Sequence, residues 1–228
     1  MKSILLAATL LFPLQSFLLP APVQAQSAPS ASEIAMSRKA AEQGNALEQT
    51  LLGRAYQKGE GVPQDYVQAV YWLRKAAEQG NDIAQYFLGH AYQYGEGVPQ
   101  DYVQASNWFR KAAEQGLDSA QATLGRAYRN GEGVPQDYVQ AAQWFRKAAE
   151  QGADTAQASL GLSYMEGEGV QQDYVLAYAW LNIAASQLPL ARSARDTAAE
   201  KLSPTQLAEA QRLSSNWRKG QSIQRQKQ

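Results

Sequence analysis

This chain has no cysteine and a single histidine among 228 residues, and its 21 basic side chains are balanced by 21 acidic ones. Each shortage removes a class of chemistry. Without cysteine there is no thiolate nucleophile, no disulfide framework and no thiolate metal site. One histidine, His90, cannot build a histidine metal cluster, and alone on a helix it reads first as a packed or solvated side chain. A net charge of zero gives no electrostatic case for nucleic acid. The signatures S-x-x-K, G-x-S-x-G, H-E-x-x-H and G-x-x-x-x-G-K-[ST] are missing as well. These absences point to a non-enzyme that needs neither cofactor nor metal.

Long apolar runs are also scarce, and the one that exists lies at the start. Lys2 precedes the apolar stretch Ile4 to Leu19, which Pro13 and Pro20 interrupt and bound, and Val23-Gln24-Ala25 places small residues at cleavage spacing. The run is short for a membrane span of about 20 residues. It reads as a signal peptide over 1–25, removed before Gln26, with a disordered linker over 26–32. The mature chain is then expected to be exported, in the periplasm or beyond it, with no transmembrane segment.

What is abundant is repetition. GEGVPQDYVQA occurs at Gly59, Gly95 and Gly131, with a worn copy, GEGVQQDYVLA, at Gly167. AAEQG ends at Gly44, Gly80, Gly116 and Gly152, and Trp72, Trp108, Trp144 and Trp180 keep the same 36-residue step. Such a period holds two helices and two turns, the arithmetic of an α-solenoid. In the unit ending at Gly116, Ala84, Leu88, Ala91 and Tyr92 share one helical face. Gly95-Glu96-Gly97 stops that helix and Val98-Pro99 forces extended chain. Asp101 caps the next helix, with Gln104 at the spacing of a capping box. Gly89 inside the first helix implies a neighbour too close for a methyl group, and Tyr92 and Trp108 read as core. The repeated stretch is therefore a joint rather than a repeated catalytic site.

The residues Ala84, Leu88, Gly89, Tyr92, Gly95, Gly97, Val98, Asp101, Ala105, Trp108, Phe109, Lys111, Ala112, Ala113 and Gly116 resemble the Sel1-like repeat, a relative of the tetratricopeptide repeat. The resemblance covers about Ile34 to Ser186. It implies an all-α, right-handed solenoid of helix-turn-helix units whose first helices line a concave groove. The expected units are a half-repeat helix over 33–44, repeats over 45–80, 81–116 and 117–152, and an atypical repeat over 153–187. That last unit lacks the proline, having Gln171, and is read with Asn182 in place of the lysine, an assignment that the 36-residue step from Lys147 moves to Ile183. A capping helix pair follows over 188–217, its second helix opened by Ser203-Pro204, and a basic disordered tail over 218–228.

Charge is unevenly spread. Residues 33–184 carry 12 basic and 18 acidic side chains, whereas the remainder to the end carries 8 and 3. Comparison of the units with one another separates the fixed joint from the inward positions that vary. Those positions hold Leu47, Thr50, Arg54 and Gln57, then Ile83, Tyr86, His90 and Gln93, then Ser119, Ala122, Arg126 and Arg129, then Thr155, Ala158, Leu162 and Met165. Phe87 adds an aromatic spot beside Tyr86. Tyr and Arg anchor interfaces most often, so Arg54, Tyr86, Phe87, His90, Arg126 and Arg129 are the expected contacts for a protein or peptide partner. Two other readings stand beside it. One is a cell-wall or β-lactam hydrolase, by analogy with cysteine-rich relatives whose cysteines this chain lacks. The other is weak tethering to envelope glycan or lipid through the basic tail.

Overall fold

The structure is a computed structural model that describes residues 31–223 and residue 225. The expected signal peptide and most of the expected linker lie outside the described residues. Among those described there are eleven helices and no strand. They are α1 (Ala31–Glu42), α2 (Ala46–Lys58), α3 (Tyr66–Glu78), α4 (Asp82–Tyr94), α5 (Tyr102–Glu114), α6 (Asp118–Asn130), α7 (Tyr138–Glu150), α8 (Asp154–Glu166), α9 (Tyr174–Ala184), α10 (Pro189–Ala199) and α11 (Pro204–Asn216). From α1 to α10 each helix packs on its neighbours in the chain, and α11 returns to pack on α9, so the molecule is a solenoid of helix pairs closed by two helices on α9.

Local chemistry sets the period. The first helix of each pair ends on a left-handed glycine at Gly59, Gly95, Gly131 or Gly167. The second helix starts at Asp65, Asp101, Asp137 or Asp173, whose carboxylate accepts backbone N–H bonds from the first turn. The capping box expected at Asp101 and Gln104 is only half formed. Gln104 N donates to Asp101 Oδ1, but the Asp101 N–H is already spent on the Tyr92 carbonyl at 2.9 Å. A reciprocal box closes instead at Ser203 and Gln206.

Between units the joints are equally regular. Arg74, Arg110 and Arg146 each donate to the hydroxyl of a tyrosine 18 residues on, Tyr92, Tyr128 and Tyr164, at 2.8 Å. Gln79, Gln115 and Gln151 donate to Gln49, Gln85 and Gln121. The amide of Gln157 continues this series as a donor to Ala149, but its oxygen is buried without a partner. The reason is that α9 stops at Ala184, and Leu188-Pro189 then turns the chain into α10 before Gln187 can reach back.

The core corrects one reading of the aromatics. Phe109 and Phe145 are about 2% exposed, whereas Trp108 and Trp144 are half-buried. Each tryptophan reaches back onto the cluster formed by the two helices before its own, Trp108 onto that of α3 and α4 around Leu73 and Leu88, and Trp144 onto that of α5 and α6 around Phe109 and Leu124. Lys111 and Lys147 lie over their outer faces, 3.9 and 4.0 Å from the ring centroids. Trp108 and Trp144 are thus keys onto the helices before them, while the adjacent Phe109 and Phe145 fill the clusters made with the helices that follow, α6 and α8. In the fourth unit Ile183 holds the lysine position and Asn182 the arginine position. Trp180 is accordingly buried, edge-on to Trp217 at 6.0 Å.

Both ends differ from expectation. Helix α1 begins at Ala31, inside the expected linker, because Ile34 is buried with Ala41, Leu52 and Trp72. The described part of the expected disordered tail is docked. Gly220 N donates to the Glu150 carbonyl at 2.6 Å, Ser222 bonds to the Glu150 carboxylate, and Ile223 packs near Trp217. Arg225 pairs with Asp173 at 2.9 Å and Glu209 at 3.1 Å. Glu150, Asp173 and Glu209 thus hold the described part of the tail, a pairing that composition along the chain does not reveal.

Candidate interaction groove

Successive first helices lie 36 residues apart, so the varying inward positions of α2, α4, α6 and α8 form rows along one face. A cavity of about 330 Å³ opens on this face, lined by Tyr86 from α4, by Ser119, Thr123, Arg126 and Arg129 from α6, by Phe145 from α7, and by Thr155 and Ser159 from α8. Its volume lies at the small end of ligand pockets, enough for one or two side chains. No carboxylate lines it.

The structure divides the six expected contacts into two groups. Tyr86, Arg126 and Arg129 share the cavity, with His90 beside them. The His90 ring meets Tyr86 edge-on at 4.5 Å and Phe109 at 5.0 Å, and stacks on Tyr94 at 5.7 Å. Arg54 and Phe87 pair one unit away, with the guanidinium 4.6 Å from the ring centroid. Phe87 itself is half-buried against the Val70 and Leu88 cluster, so most of its ring serves packing. The two groups touch through Tyr86 and Phe87, 5.5 Å apart.

Sequence reasoning missed Thr123 and Ser159. They occupy the register of Phe87, and Leu51 precedes them in the same row. Variation from Leu to Phe to Thr to Ser down that row is the signal that marks it as part of the groove. Phe145 was not singled out either, yet its ring reaches the cavity, where the Arg129 guanidinium lies 6.0 Å from its centroid.

Electrostatics sharpen the picture. Arg126 and Arg129 make no side-chain hydrogen bond or ion pair with another described residue. The Arg54 Nε is buried without an acceptor. A larger pocket of about 590 Å³ lies between the fourth unit's turn and the C-terminal hairpin, but two of its cations are engaged. Arg225 holds two carboxylates there and Arg146 holds the Tyr164 hydroxyl. Unneutralised cations on an open face make the first-helix groove the better candidate.

His90 occupies the row of Arg54 and Arg126 but stays neutral more readily than a free imidazole. Burial, and then the Arg126 charge, hold its pKa below the ordinary 6.5; Gln93 and Glu96 act the other way without offsetting them. Folded chain therefore binds this proton less tightly than unfolded chain does. The stability that a neutral His90 contributes is fully present above pH 6.5 and is lost as pH falls from there through the folded value. Thermal melts from neutral pH down to about pH 5 should show a steeper loss of Tm in the wild type than in His90→Gln. Parallel slopes would mean the imidazole titrates as though unfolded.

No His, Cys, Asp or Glu group among the described residues is arranged to hold a metal, and no described helix is long and apolar enough to cross a membrane.

The geometry has recognisable relatives. The Sel1 repeat family profile matches residues 49–81, 82–117, 118–152 and 155–187. A Sel1 repeat protein from Oxalobacter formigenes is similar in structure at 40% identity and a TM-score of 0.67, over 72% of this chain and 48% of its own. A protective antigen of uropathogenic Escherichia coli with an SLR fold is similar at 35% identity and a TM-score of 0.54, over 81% of this chain and 48% of its own. The chain thus spans about half the length of each. Among curated proteins there is no match.

Proposed function

The chain belongs to the Sel1 repeat family, and from that premise we propose that it is an exported, non-enzymatic scaffold that binds a protein segment along its first-helix groove. The observation that carries this reading is the pair Arg126 and Arg129, unneutralised and facing Tyr86 across one cavity. Around it the joints and cores are fixed, and the varying residues gather on one face. A rigid frame with a varied inner row is the form in which repeat proteins present binding surfaces. The periplasm is the compartment the first 25 residues favour, and a role in envelope assembly or regulation suits a scaffold placed there. Tail tethering finds less support, since Arg225 is already held by Asp173 and Glu209.

Affinity capture from envelope extract with the mature chain and with Arg126→Glu/Arg129→Glu tests the groove. Both arginines reach solvent, so the variant should keep the wild-type helical signal. Partners lost only from the variant are the expected result, while identical partner lists would remove the groove from the function. Turnover of nitrocefin or muropeptides by purified protein would overturn the non-enzymatic part.

A further inference from the structure

Resting on the groove reading above, we propose that the segment bound there is an acidic peptide, with carboxylates on Arg126 and Arg129 and neighbouring apolar side chains toward α2 and α4. The case begins with a contrast in charge. Residues 33–184 hold 18 acidic and 12 basic side chains, yet the only charged residues in the varying inward rows are Arg54, Arg126 and Arg129. An acid-rich solenoid has kept every acid out of those rows.

Nor are these cations balanced by neighbours. The carboxylates of the turns after α4 and α6 are engaged elsewhere: Glu96 accepts from the Gln57 amide at 3.3 Å, and Glu132 from the Asn130 amide at 2.8 Å. Arg126 and Arg129 have no carboxylate partner, and the cavity beside them offers the hydroxyls of Thr123 and Thr155, while that of Ser119 donates to Asp118 Oδ1 at 3.1 Å. A guanidinium presents a fork of donors that matches a carboxylate in two-point contact, and hydroxyls can complete its remaining bonds. The site is built for a small planar anion.

The other end of the same face has different chemistry. Leu47, Leu51 and Ile83 are 56%, 46% and 39% exposed, on α2 and α4 in rows that continue to the cavity. Large apolar side chains exposed in a contiguous row mark a binding surface. An occupant that meets both ends carries carboxylates at one end and apolar side chains at the other, which is the chemistry of a peptide. A nucleic acid supplies a continuous run of phosphates and would meet the net negative surface of the repeats around the groove.

A random peptide library displayed on phage, panned against the wild type and against Arg126→Gln/Arg129→Gln, tests this directly. The control bait is Lys111→Gln/Lys147→Gln, whose lysines cover Trp108 and Trp144 away from the groove. The expected result is enrichment of Asp- and Glu-containing peptides with adjacent apolar residues by the wild type and the control bait, and loss of that enrichment with the arginine variant. Synthetic peptides from the enriched set should bind the arginine variant at least about tenfold more weakly, a fold-change of about 1.4 kcal/mol, and should weaken with salt. Enriched peptides that are neutral or basic but still depend on the two arginines would overturn the acidic preference and leave the groove reading intact. Enriched peptides indifferent to both arginines would overturn the groove reading itself. Displacement of bound peptide by a single-stranded oligonucleotide at lower concentration than by acidic peptide would overturn the choice of peptide over polyanion.

Discussion

Gly133→Ala is expected to lower Tm by roughly 10 °C or more, the equivalent of about 4 kcal/mol for a chain of this size. Gly133 has φ +71° and sits in the turn between α6 and α7. A Cβ there would overlap the carbonyl oxygen of Tyr102 and come within 2.7 Å of Ser106 Oγ. Neither neighbour can give easily. Tyr102 opens α5, and Ser106 Oγ donates to the Glu132 carbonyl at 2.8 Å, tying the same turn to the preceding unit. Gly131, two residues earlier, supplies the control. Its φ is +73°, but an added Cβ would meet nothing nearer than Gln136 Cβ at 3.5 Å, an ordinary contact. Gly131→Ala should therefore cost only the left-handed penalty, about 1–2 kcal/mol. The Gly133 change parts α1–α5 from α6–α11, so urea unfolding followed by circular dichroism should also broaden or split, because solenoid units support only their neighbours. Equal losses at the two positions would mean the joint is a turn requirement alone, with no contribution from the close approach of units.

That distinction also explains what could be read from residues alone. The need for glycine, aspartate and tyrosine at a joint is local chemistry, and it repeats, so the 36-residue period and the helix pairs were legible. Which unit a joint touches is not local. The second glycines of the last three turns, Gly97, Gly133 and Gly169, pack on the preceding pair at Tyr66, Tyr102 and Tyr138, and no spacing within a unit announces that. The same limit hid that Trp108 is only partly buried, since Trp108 and Phe109 are neighbours in sequence yet join different clusters. In the groove, rows of varying residues could be aligned, and they include Tyr86, Arg126 and Arg129 on the cavity wall. The pairing of Arg54 with Phe87, and the burial that keeps His90 neutral, depend on how far each ring sinks between helices. Docking of the tail was invisible because its partners, Glu150, Asp173 and Glu209, are 16 to 72 residues away in sequence.

Phe109→Ala carries the second large effect, and it connects the core to the groove. The side chain is 2% exposed, packed with Ala105, Ala112, Ala120 and Leu124. Its ring lies so close to Gly89 that an added Cβ there would stand 2.6 Å from Phe109 Cε1, so α4 and α5 meet around it with no slack. Truncation should cost about 3–5 kcal/mol, because the alanine-rich surroundings cannot collapse far into the hole. The ring is also the floor beneath the groove, 5.0 Å from His90 and 5.9 Å from Tyr86. Peptide binding should therefore weaken in Phe109→Ala even at temperatures where the variant remains folded. Trp108→Ala removes a larger side chain next door, but one that is only partly buried and is covered on its outer face by Lys111. Area already in contact with water contributes little to stability, so its loss should be smaller, about 2 kcal/mol, and should leave the groove unchanged. Denaturant melts of the two variants give the ranking, and titration with an enriched peptide gives the coupling. A Trp108→Ala loss equal to or above that of Phe109→Ala would make the key onto the preceding helices, rather than the filling of the cluster with the following helix, the main source of stability.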